Sequence, residues 1–166
     1  MLVDFNKEDI LDTYEKLGVN TEWRSKLIFL SLFLYTNKLQ TSCDKLDENI
    51  TIKQWLVIMM TMQFKDAPTL SQLGEVLGCS RQNVKKISVS LEKRGYINLV
   101  RGDKDGRALT VKLTDKCLKH FDEKYKSQIE ILHIIFGRLN DAEIESLFKL
   151  LCKLFGGIED LEKGIR

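Results

Sequence analysis

Five polar residues within one short stretch, Arg81, Gln82, Asn83, Lys85 and Lys86, are of the types that recognise nucleic acid. Arginine matches guanine through paired hydrogen bonds, and glutamine or asparagine matches adenine in the same way. Lysine neutralises phosphate. The apolar residues between them, Val84, Ile87 and Leu91, recur at helical spacing. With those three inward, Arg81, Gln82, Lys85 and Lys86 point outward near a helix N-terminus, with Asn83 at the boundary. Ser80 can cap that helix, and the capped end suits a phosphate.

No other chemistry has comparable support. The sequence contains no G-x-S-x-G, no G-x-x-x-x-G-K-[ST] and no H-E-x-x-H, so no enzymatic activity is expected. His120 and His133 have no matching thiol or carboxylate cluster, so neither a metal nor a cofactor is expected. Four cysteines (Cys43, Cys79, Cys117 and Cys152) are far apart with no C-x-x-C pair, and they read as free thiols. Cys79 adjoins the start of the basic helix, where a thiol could serve as a redox switch; a small buried turn residue is the plainer expectation. Trp55, Met59, Met60 and Met62 could line a pocket for a small-molecule effector, with Trp55 and Met59 the leading candidates. A Met and Trp stripe at this spacing reads first as core.

Charge supports the nucleic-acid reading. The chain of 166 residues carries a formal net charge of +2. Between Cys79 and Arg107 stand eight basic and three acidic residues, a net +5 that leaves −3 for the rest. Basic charge gathered in one segment is what a phosphate-facing surface requires. The N-terminus is acidic and mixed, unlike a secretory signal, and the apolar run from Leu27 to Tyr35 is too short to span a bilayer. A cytoplasmic location without membrane attachment is therefore expected.

The elements that must hold these residues are mostly helical. A short helix is expected over 7–17 and a long one over about 22–46. Thr51 and Gln54 form a capping box for a helix over 52–63, and Thr69 and Gln72 form another for a helix ending at Gly78. Gly74 lies where two helices cross too closely for a large side chain, and Gly78 needs a positive φ at the turn. The basic helix runs from Ser80 to Lys93 and stops at Gly95. Ile97, Leu99, Leu109, Val111 and Leu113 alternate as half-buried strands do, joined by a turn at Asp105-Gly106. Thr114 caps a helix ended by Gly137. Asn140 caps a last helix bearing Ile144, Leu147, Leu151 and Leu154, which Gly156-Gly157 should stop. The two short helices and their brief turn have the dimensions of a helix-turn-helix.

This order resembles the multiple antibiotic resistance regulator (MarR) family of winged helix-turn-helix repressors. The resemblance runs from about Glu22 to Phe155. It rests on Leu56, the segment TLSQLGEVLG from Thr69 to Gly78, Val84, the segment SLEKRGYI from Ser90 to Ile97, KDGR from Lys104 to Arg107, and VKLT from Val111 to Thr114. Gly102 stands where the family's wing opens with an acid, and Cys117 stands where the next helix often has a glycine. The resemblance implies a mainly α fold with a small β-hairpin wing, in which N- and C-terminal helices form a homodimer that places two winged domains on palindromic double-stranded DNA. It implies that Arg107 reaches towards the minor groove while Asp105 fixes the wing by charge pairing. The resemblance also implies release by a small aromatic ligand, while release by thiol oxidation would act at Cys79.

Together these readings predict an N-terminal dimerisation region over 1–50, a DNA-binding domain over 51–114 and C-terminal dimerisation helices over 115–166. The expected DNA contacts are Ser80, Arg81, Gln82, Asn83, Lys85, Lys86, Arg101, Lys104 and Arg107. The competing reading is a helical protein–protein interaction module that has lost DNA binding, and the +5 segment favours the first.

Overall fold

A computed structural model of the chain describes residues 20–102 and 108–165. The expected helix over 7–17 and the wing tip with Lys104, Asp105 and Arg107 lie outside the described residues. The chain divides into two units, residues 1–113 and 114–166.

In the first unit the order is α1 (Thr21–Cys43), α2 (Ile52–Gln63), α3 (Leu70–Val76), α4 (Arg81–Lys93), β1 (Ile97–Arg101) and β2 (Leu109–Leu113). Local chemistry sets where each helix starts. Thr51 Oγ1 accepts from the Gln54 N–H while Gln54 Oε1 accepts from the Thr51 N–H. Thr69 and Gln72 do the same for α3. Ser80 Oγ accepts from the Asn83 N–H to open α4. Each such cap satisfies backbone donors that a helix start would otherwise leave without partners.

The core of this unit lies where α2, α3, α4 and the hairpin meet. Val57, Ile58, Leu70, Leu73, Val84, Leu91, Ile97 and Val111 are buried in it. Two sequence expectations need correction here. On α2 the buried face is Gln54, Val57, Ile58 and Thr61, while Trp55 and Met59 are only half-buried. The helix is apolar nearly all round, so periodicity could not say which stripe its neighbours cover. On α4, Ile87 is half-buried and Ser88 takes the fully buried position beside Val84 and Leu91.

The hairpin is antiparallel, with Leu99 opposite Val111 and Arg101 opposite Leu109. The far edge of β2 is closed by residues just before α3. Val111 N–H donates to the Pro68 carbonyl at 2.9 Å, and Thr110 bridges Thr69.

The second unit is a helical hairpin, α5 (Asp115–Phe136) and α6 (Asp141–Ile165). Thr114 Oγ1 caps α5 through the Cys117 N–H, and Asn140 and Glu143 exchange reciprocal bonds at the start of α6. Gly156-Gly157 does not stop α6, which continues to Ile165. Each glycine costs about 1 kcal/mol in a helix interior. The apolar stripe that runs through Leu151 and Leu154 resumes at Ile158 and Leu161, so the helical face persists across the pair.

Cys117 is fully buried. Burial pushes its thiol up from 9.0 to about 11. The thiolate is the reacting species, so at pH 8 alkylation of Cys117 should be more than tenfold slower than in the urea-unfolded chain. Mass spectrometry of timed iodoacetamide reactions measures this, and equal rates would mean the thiol is not desolvated.

Candidate nucleic-acid interface

The turn between α3 and α4 is built by two glycines. Gly78 has φ +62°, a conformation that side-chain-bearing residues adopt only at a cost. A Cβ on Gly74 would lie 2.7 Å from the Cys79 carbonyl oxygen, backbone that cannot swing aside. The same approach lets the Cys79 N–H donate to the Gly74 carbonyl at 2.8 Å. Both helices are thereby held at close quarters where α4 begins. Cys79 itself is half-buried with a free thiol.

Along α4, burial separates two faces. Val84, Ser88 and Leu91 point into the core, while Arg81, Gln82, Asn83, Lys85 and Lys86 are exposed. Ser80 is exposed too, with its hydroxyl engaged as the cap. Arg81, Lys85 and Lys86 have no ion-pair partner among the described residues; the pairs Lys26–Glu22, Lys119–Glu123, Lys149–Glu145 and Lys163–Asp160 belong to other helices. Three uncompensated cations beside a helix N-terminus make a surface of positive potential.

The other cations of the segment divide by placement. Arg101 is exposed at the end of β1, next to the Gly102 N–H that donates to the Ala108 carbonyl at the hairpin base. The Arg94 guanidinium donates to the Glu48 carbonyl at 3.4 Å, so it ties the end of α4 to the segment before α2. In the sequence Arg94 stands as one cation of the basic segment and as part of the motif from Ser90 to Ile97, and its partner, 46 residues away in the chain, leaves no local signal.

One contact escaped the sequence reading altogether. The Glu92 carboxylate, in the last turn of α4, accepts from the Leu99 N–H on β1 at 2.7 Å. Gln54 is similar: beyond its capping role it donates to Ser90 Oγ at 3.1 Å and so joins α2 to α4.

Among the described residues no group of three or more His, Cys, Asp or Glu could hold a metal ion, and no helix is long and apolar enough to cross a membrane.

Comparison with known proteins agrees with this architecture. Residues 38–124 match the family model described as transcriptional regulator SarA/Rot. The transcriptional repressor MprA of Escherichia coli (strain K12) is 33% identical over 93 residues, which is 56% of this chain and 53% of MprA. The chain thus spans about half the length of the curated relatives it matches. A MarR transcriptional regulator from Methanosarcina mazei Go1 superposes with a TM-score of 0.74 at 21% identity, covering 82% of this chain and 99% of that one. The structure of the S. aureus MepR–DNA complex gives 0.69 at 19% identity, covering 78% and 97%. The family match covers α2, the helix-turn-helix, both strands of the hairpin, the end of α1 and the first part of α5, and the chain belongs to the SarA/Rot family of transcriptional regulators, with the MarR-type winged-helix fold.

Proposed function

We propose that this protein is a transcriptional repressor that binds palindromic DNA as a homodimer, with α4 in the major groove and the hairpin as its wing. The observation that carries this reading is the outward face of α4, where Arg81, Lys85 and Lys86 stand exposed and without ion-pair partners among the described residues. An interaction module that had lost DNA binding would have no use for three uncompensated cations there. In this reading Arg81 and Gln82 contact base edges, Asn83, Lys85 and Lys86 approach bases or phosphates, and Ser80 with the helix N-terminus meets a phosphate. Arg101, Lys104 and Arg107 act from the wing. The MepR complex supports the arrangement, because that protein of the same fold was solved with DNA.

Dimerisation is supported by apolar surface that the chain leaves open. Ile28, Phe29, Leu30, Phe33, Leu34 and Tyr35 on α1 are each between 55% and 60% exposed. In the second unit a cavity of about 520 Å³ between α5 and α6 is walled by Ile129, Leu132, Phe136, Leu139 and Ile144. Large apolar side chains left exposed in such number along one helix mark an interaction face. A second copy, meeting the same surface by two-fold symmetry, is the simplest occupant. Control by a small aromatic ligand near Trp55 and Met59, or by oxidation of Cys79, belongs to the same proposal.

The base-reading roles have a direct test. A preferred duplex is selected from a random pool, and affinities are measured on it and on a scrambled duplex. Arg81→Ala or Gln82→Ala should lose about 1–3 kcal/mol on the preferred duplex and relax the preference. An unchanged ratio between the two duplexes for both variants would put a different face of α4 against the DNA.

A further inference from the structure

Glu92 is an acid in an unfavourable place. It occupies the last turn of α4, where the helix dipole favours cations, as at neighbouring Lys93. It is exposed, and it lies within a segment of net charge +5. Proximity of a carboxylate to DNA phosphates would be repulsive. Neither local propensity nor charge accounts for an acid here, so its contact with the strand must be weighed.

The pairing of the hairpin shows what that contact satisfies. The Gly102 N–H donates to the Ala108 carbonyl, so bonded pairs fall at alternate positions, and Leu99 opposite Val111 is a pair without mutual hydrogen bonds. The Leu99 and Val111 N–H groups therefore point away from each other, towards the two edges of the sheet. Val111 is satisfied by the Pro68 carbonyl at 2.9 Å. Leu99 is satisfied by Glu92 Oε1 at 2.7 Å. A two-stranded sheet has two open edges, and here each is tied to a different part of the helix-turn-helix. The tie on β1 is a charge-assisted bond from the same helix that carries Arg81, Lys85 and Lys86.

We infer that Glu92 is the positioning residue that holds the wing at a fixed angle to α4, so that helix and wing engage DNA as one rigid unit. A slip of β1 by one residue would turn its side chains to the opposite face. The register is set by that alternation of faces, since a slipped strand would present another N–H that the carboxylate accepts equally well, and Glu92 fixes the edge of β1 that faces α4. The role rests on the DNA-binding reading above for its purpose, although the tie itself exists without DNA.

The test uses full-length protein and three variants, Glu92→Ala, Glu92→Gln and Arg101→Ala, with the double variant of the first and last. Amide exchange is followed without DNA. The Leu99 N–H of Glu92→Ala should exchange about tenfold faster or more, while Val84 and Leu91 on the same helix keep their protection. Glu92→Gln retains an oxygen acceptor and should restore most of it. Affinity is then measured on a random-sequence duplex in 50 mM salt. Arg101→Ala should weaken binding by about threefold in the wild-type background and by less than half that in Glu92→Ala, because a loosened wing no longer places its cation. Unchanged exchange at Leu99 in Glu92→Ala would overturn the tie. Altered exchange with fully independent effects of Glu92→Ala and Arg101→Ala would overturn its role in DNA engagement. Absence of DNA binding by the wild type would sink the DNA-binding reading and this purpose with it, while leaving the exchange result to stand alone.

Discussion

Raising salt from 50 to 200 mM should weaken binding of this protein to duplex DNA by about 10³–10⁵-fold. The expectation comes from counting cations that are free to meet phosphates. Arg81, Lys85, Lys86 and Arg101 are exposed in the chain. The proposed dimer doubles that set, so about 6–10 phosphate contacts are a reasonable engagement. Each neutralised phosphate releases counterions, and the logarithm of affinity falls with the logarithm of salt in proportion to the number of contacts. The slope can be dissected further. Lys86→Ala should lower it by about 2 per dimer and weaken preferred and random duplexes alike, unlike Arg81→Ala. Fluorescence anisotropy across a salt series measures both. Affinity that stays constant between 50 and 200 mM would show that the basic face of α4 does not meet phosphates, and the reading as an interaction module would gain.

Much of the framework behind that expectation was legible without coordinates, and the reason is locality. Thr51, Thr69, Ser80, Thr114 and Asn140 were each read as caps, and each side chain accepts the N–H three residues on. A cap is a contract among four consecutive residues, so the sequence displays all of it. The outward set on α4 was legible for a related reason. Val84, Ile87 and Leu91 are the apolar anchors in a helix whose first turns are otherwise polar, and turning them inward leaves Arg81, Gln82, Lys85 and Lys86 one face to occupy. The helix α2 offered no such contrast. Its run from Trp55 to Met60 is apolar at every position, and only packing against α3, α4 and β2 selected Val57 and Ile58.

The misreading at Gly156-Gly157 has the opposite origin. Two consecutive glycines carry a strong local signal to stop, but the helix is sustained by what flanks them. Neither glycine adopts a positive φ, so no terminating turn forms there. Glu92, Arg94 and Gln54 mark a third limit. Their contacts at Leu99, Glu48 and Ser90 join separate elements, and nothing in the neighbouring residues announces them. The parts that set helix boundaries were readable, whereas the parts that set angles between elements were not.

Placing a charge on α6 should take the proposed dimer apart and carry half the salt dependence away with it. Ile144, Leu147, Leu151, Leu154, Ile158 and Leu161 recur at alternating spacings of three and four, the seam that helices use to pack on one another. Leu151 lies mid-seam and is 45% exposed in the single chain, so its side chain is available to a partner. Leu151→Asp would enter a two-fold interface twice, once from each subunit. Burying each carboxylate costs several kcal/mol unless the group takes up a proton instead, so the measurement belongs at pH 8, where protonation is itself costly. A total of about 4 kcal/mol would weaken the dimer by about 10³-fold, enough to leave monomer at micromolar concentration. Sedimentation reads the oligomeric state, and circular dichroism checks that the helices survive. The variant should then bind DNA through one winged domain only, with about half the wild-type salt slope, because half the phosphate contacts remain. A variant that sediments as a dimer would show that this seam of α6 is not the interface. A wild-type chain that sediments as a monomer would remove the homodimer, and with it the paired spacing on palindromic DNA.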